Sequence, residues 1–73
     1  MNTSESFPVG CHVVLTKSQY AMVAGADERI FQHNVQDGTE GVVTKIIGTY
    51  MCEVLLLRVR MRVRVENLRL VVD

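Results

Sequence analysis

The sequence predicts an all-β domain, and two observations predict it. From Arg58 to Val65 four arginines alternate with four apolar residues, in the order Arg58-Val59-Arg60-Met61-Arg62-Val63-Arg64-Val65. A strict period of two belongs to a β-strand with one buried face, because successive side chains point to opposite sides of a sheet. Elsewhere, short runs rich in valine and isoleucine stand between glycine-containing turn signals, the pattern of strands joined by tight connections.

Taken in order, residues 1–6 are polar and read as a disordered leader, ahead of one domain over 7–73. Phe7-Pro8-Val9-Gly10 leads into a first strand, Cys11-His12-Val13-Val14-Leu15-Thr16, with Pro8 placed where a strand tolerates it, before the first ladder bond. Residues 17–38 have two readings. They hold a short helix starting at Asp27-Glu28 and ending near Asn34, or they form one long irregular loop anchored by Tyr20, Met22, Ile30, Phe31 and Val35. Asp37-Gly38 signals a turn, and Gly41 to Ile47 is the second strand, with Gly41 where a strand bends and backbones approach. Gly48-Thr49 is expected to be the centre of a hairpin turn, glycine first. The third strand follows over 50–57, then the arginine strand, a tight turn at Glu66-Asn67-Leu68, and a short last strand from Arg69 to Val72. No Gly, Asn or Pro separates Leu57 from Val65. The chain there either turns without the usual turn chemistry or continues as one bent strand from Tyr50 to Val65.

Seventy-three residues, 48% of them hydrophobic, are more apolar than a core of this size can hide. Some of that surface is expected between subunits, in a homo-oligomer, and the candidate self-association face is Val54, Leu55, Leu56 and Leu57, apolar on both sides of the strand. The net charge is zero, so nothing global draws the chain to nucleic acid or to an anionic membrane. Five of the eight basic residues nevertheless fall in the last sixteen positions, which makes a local positive patch. The first residues lack a charged segment followed by an apolar one, and no apolar run is long enough to span a membrane. The expected compartment is the cytoplasm, with Cys11 and Cys52 as free thiols.

Three segments carry a resemblance: Val9-Gly10-x-x-Val13-x-Leu15, Gly38-Thr39-Glu40-Gly41-Val42-Val43-Thr44-Lys45-Ile46, and Val65-Glu66-Asn67-Leu68-Arg69-Leu70-Val71. Together they resemble the SH3-like small β-barrels, in particular the KOW-type domains of ribosomal and transcription proteins and the accessory subunit of photosystem I. The resemblance covers residues 7–72 and rests on turn glycines and barrel valines. It implies a five-stranded barrel with a long first loop, and says far more about fold than about activity. The chain departs from peptide-binding SH3 domains, having no Trp and no Ala-Leu-Tyr-Asp-Tyr-like segment. It departs also from the type II dihydrofolate reductases, tetramers of similar barrels. Where that family's pore strand reads Val-Gln-Ile-Tyr, this chain has Val63-Arg64-Val65-Glu66.

Guanidinium groups on one face of a strand recur about every 7 Å, a spacing that can track phosphates. In a neutral chain the commoner arrangement is a solvated face whose heads pair with Glu40, Glu53 or Glu66. Cys11, His12, His33 and Cys52 are the possible metal ligands, but no CxxC or HxxxH spacing exists. No metal, cofactor or catalytic residue is expected. A Cys11–His33 or Cys52–His12 pair is the nearest approach to a nucleophile. The expected function is a non-catalytic binding module with a protein partner. Its binding surface joins Tyr20, Met22 and Phe31 of the long loop to Arg58, Arg60, Arg62 and Arg64. A nucleic-acid binder using the four arginines is the second reading and a pore-forming reductase the third.

Overall fold

The computed structural model describes residues 2–24 and 29–72, with all their side chains except those of Ala21, Val23, Ala24 and Phe31. The described residues form seven strands and no α-helix. They are β1 (His12–Leu15), β2 (Gln19–Ala24), β3 (Ile30–Val35), β4 (Glu40–Gly48), β5 (Met51–Leu56), β6 (Val59–Arg64) and β7 (Leu68–Leu70). Five of them make an antiparallel sheet in the order β6-β5-β4-β1-β7, and β2 pairs with β3 in a separate two-stranded sheet. The terminal strands β6 and β7 do not pair with each other.

The core lies on one face of the large sheet, where the alternation of each strand directs its apolar set. Val13, Leu15, Val43, Cys52, Val54, Leu56, Met61 and Val63 are buried there, with Phe7 and Val35 closing the cluster from the connecting segments. Gly41 holds β4 close to β5. A Cβ built on it would lie 2.6 Å from the carbonyl oxygen of Leu55 and 2.6 Å from Leu56 Cδ2, so any side chain would push the strands apart.

Three expectations change, and one open alternative is settled. Residues 19–24 and 30–35 pair as antiparallel strands, with Tyr20 opposite Asn34 and Met22 opposite Gln32, rather than forming a loop or a helix; the proposed helix start at Asp27-Glu28 lies outside the described residues. The polar leader carries a 3-10 turn at Ser4–Ser6, and the Ser4 N–H donates to the Thr49 carbonyl at 2.6 Å. With Gly48 opposite Met51, the turn between β4 and β5 is centred on Thr49-Tyr50, one residue later than expected. The arginine segment turns sharply after Leu56 and pairs with β5 as a hairpin, which excludes the single bent strand.

Candidate functional site

The hairpin β5–β6 positions the arginines. Leu56 pairs with Val59, so Leu57 and Arg58 are the two central residues of the turn, with φ of 49° and 70°. Positive φ at both centres gives the turn whose twist matches that of the strands, normally supplied by Asn-Gly. The backbone hydrogen bond from Val65 N–H to Tyr50 C=O, 3.0 Å long, sets the phase of the ladder beyond it. Val59, Met61 and Val63 therefore exchange hydrogen bonds with β5, while Arg60, Arg62 and Arg64 turn their N–H and C=O groups outward. Because β6 is a terminal strand, that side is open.

Side chains follow the same alternation. Met61 and Val63 are in the core, and Arg60, Arg62 and Arg64 are exposed on the outer face opposite Leu55, Glu53 and Met51. Arg58 leaves this row, since it sits in the turn. Arg64 lies 3.6 Å from Glu66, an exposed pair of the kind that contributes about 0–1 kcal/mol. Glu53 faces Arg62 across the strands, yet its carboxylate accepts from the Thr44 hydroxyl at 2.8 Å. Glu40 is on β4 beside Val14, away from β6. Neither Arg60 nor Arg62 has an ion pair among the described residues.

The other expected members separate from this row. Tyr20 and Met22 are exposed on one face of the two-stranded sheet together with Ile30, and that sheet has no strand pairing with β6. Phe31 pairs with Val23, out of phase with Tyr20 and Met22; its side chain is outside the described set. The proposed self-association face also divides. Val54 and Leu56 are fully buried in the core, leaving Leu55 and Leu57 on the surface, 40% and 59% exposed. An apolar run cannot reveal which of its alternate residues face water, and here half of them do not.

Tyr50 has no role in the sequence reading beyond starting a strand. It is exposed, and with Asn2, Met51, Arg64, Val65 and Glu66 it lines a hollow of about 350 Å³ at the end of the arginine row. The signal lay in the hairpin register: pairing Met51 with Arg64 brings the preceding tyrosine beside the last arginine.

The thiols and imidazoles do not form a site. Cys52 is in the core and Cys11 packs against it. Burial pushes both thiols up from their ordinary value, and for Cys52 the nearby Cys11 adds to the shift. That is opposite to the direction that activates a nucleophilic cysteine. His12 is exposed, and His33 is part-buried, with Nε2 unpartnered among the described residues. No cluster of three or more potential metal ligands occurs among the described residues. No helix among them is long and apolar enough to cross a membrane. In comparison with known families, curated proteins and solved structures, the chain matches none.

Proposed function

We propose that this protein is a non-catalytic binding module of the SH3-like small-barrel kind that takes a protein partner through β6. The observation that carries the reading is the open row of Arg60, Arg62 and Arg64, in which Arg60 and Arg62 lack an acid partner among the described residues. Two unpaired guanidinium groups in a row, in a chain of zero net charge, favour and steer an acidic partner. The strand order β6-β5-β4-β1-β7, with a 3-10 turn at Val65–Asn67 before the last strand, supports the barrel kinship. The raised thiols support the non-catalytic part. Self-association belongs to the same reading. Its support now rests on the apolar stripe of Tyr20, Met22 and Ile30, because Val54 and Leu56 are taken up by the core.

A second reading, nucleic-acid binding through Arg58, Arg60, Arg62 and Arg64, is favoured by one observation. Tyr50 adjoins Arg64 in the hollow, where a base could stack beside a phosphate contact. A single adjoining aromatic is fewer than such surfaces usually interleave, so the protein partner is preferred.

Fluorescence anisotropy separates the two. Labelled polyglutamate and labelled oligothymidylate are titrated across a salt series with the unaltered chain and with R60A/R62A. Saturable polyglutamate binding, lost in the double variant, is expected. Tighter, steeply salt-dependent oligothymidylate binding would move the assignment to nucleic acid. Binding of neither would remove both.

A further inference from the structure

We propose that the open edge of β6 receives an extended acidic segment of the partner as an added strand of the large sheet. The inference rests on β6 being the protein-binding face, and it specifies how the partner docks and what sequence it carries. Two properties coincide on the same three residues. Arg60, Arg62 and Arg64 present exposed guanidinium groups on the outer face of the sheet. By the phase that the Val65–Tyr50 hydrogen bond sets, they also turn their backbone N–H and C=O groups to the open side. The 3-10 turn at Val65–Asn67 takes up the Arg64 carbonyl, which leaves the Arg64 N–H and both backbone groups of Arg60 and Arg62 facing the open side. A strand laid along this edge closes the ladder and brings its own side chains, residue for residue, opposite the arginines.

The register dictates the partner's chemistry. Residues paired with Arg60, Arg62 and Arg64 project onto the outer face and are acidic, since an opposite charge directly across a strand pair is favourable and a like charge is not. The residues between them project to the inner face beside Met61 and Val63, which are buried in the core, and are apolar. The ligand is therefore a short extended segment alternating acid with apolar residue, bound by main-chain bonds and selected by charge.

A second copy of this chain does not meet that description. No two acids in the sequence stand two residues apart. Pairing β6 with another β6 sets arginine beside arginine. The other edge, β7, is three residues long and carries Arg69. The charges that keep an edge strand from joining its own kind thus leave it open to an acidic one.

The test uses the full chain, isotopically labelled, and a capped peptide in which glutamate alternates with valine. The controls are the same peptide N-methylated on alternate amides, in both phases, and a scrambled peptide of equal composition. Affinity is read by anisotropy, and hydrogen exchange is read at single amides. The alternating peptide is expected to slow exchange at Arg60, Arg62 and Arg64 by about tenfold or more, leaving Val59, Met61 and Val63 unchanged. N-methylation in the phase facing β6 is expected to weaken binding by about tenfold or more, and scrambling likewise. Equal binding of all peptides, lost in R60A/R62A but without protection of the three amides, would overturn strand addition and leave the charged binding face standing. Failure of every peptide, with oligothymidylate bound, would overturn both.

Discussion

Replacing Leu57-Arg58 by Asn-Gly is expected to stabilise the fold, and the size of the gain follows from the backbone. Both residues are left-handed, at φ of 49° and 70°, where Cβ crowds the following carbonyl oxygen at about 1–2 kcal/mol per residue. Asparagine tolerates that region and glycine has no Cβ to crowd. The pair stores about 2–4 kcal/mol on this basis. Glycine returns about 0.5–1 kcal/mol through the freedom it gives the unfolded chain. Leu57 is 59% exposed and Arg58 is also on the surface, so little burial is lost. Asparagine keeps its Cβ and so part of the crowding, which leaves a net expectation of about 1–2.5 kcal/mol. For a chain of 73 residues that corresponds to a rise in Tm of about 5–15 °C. Urea unfolding followed by far-UV circular dichroism measures it, with the midpoint raised and the slope unchanged. A midpoint equal to or below that of the unaltered chain would show that the turn is not strained and that its φ values have been misread.

Gly41→Ala should destabilise by about 1–3 kcal/mol, since its Cβ would meet the Leu55 carbonyl oxygen at 2.6 Å. Gly48→Ala, with nothing within 4 Å, should be neutral or stabilising by up to about 1 kcal/mol; the reverse order in chemical denaturation would refute the packing argument. Stability should fall as pH rises above the usual thiol value of 9.0, because part-buried Cys11 and buried Cys52 keep protons that the unfolded chain releases. Melting curves across that range should show a shallower decline for C11A/C52A, even though the variant starts lower; an unchanged slope would rule the thiols out as the cause. R60A/R62A should alter stability by no more than about 0.5 kcal/mol, so a large loss in denaturation would mean that these side chains hold the fold rather than a partner. Light scattering behind a sizing column should give a dimer or larger species that Tyr20→Glu with Met22→Glu converts to monomer. A monomer from the start would remove self-association.

The large sheet was legible because its strands keep period two where one face is wet. Arg60, Arg62 and Arg64 mark the outer face, and Met61 and Val63 the inner one, without ambiguity. Gly41 was readable for the same reason that it is required there. The β2–β3 pair was not legible, because its solvent face carries Tyr20, Met22 and Ile30 and the contrast between faces disappears. In Val54 to Leu57 the alternate residues are chemically alike, so nothing separates buried Val54 and Leu56 from exposed Leu55 and Leu57. The turn at Leu57-Arg58 was hidden by its chemistry, since the residues that normally announce positive φ are absent and the strand pairing imposes it instead. The position of Tyr50 beside Arg64 depends on that register, and so could not be read without it.

The pairing of β1 with both β4 and β7 has a kinetic meaning. Val13 meets Leu70 fifty-seven residues later (70 − 13), so β1 finds its second neighbour only after every strand between the two has been made. Non-local closure of this kind slows folding to about milliseconds or longer, compared with microseconds for chains rich in local contacts. The pairs β2–β3, β4–β5 and β5–β6 can form as they emerge from the ribosome. The core cannot seal around Leu15 until Leu68 is released beside it. A nascent chain stalled before β7 would thus hold one edge of β1 unpaired, and it is during that interval that the protein is most open to proteases and to misassembly.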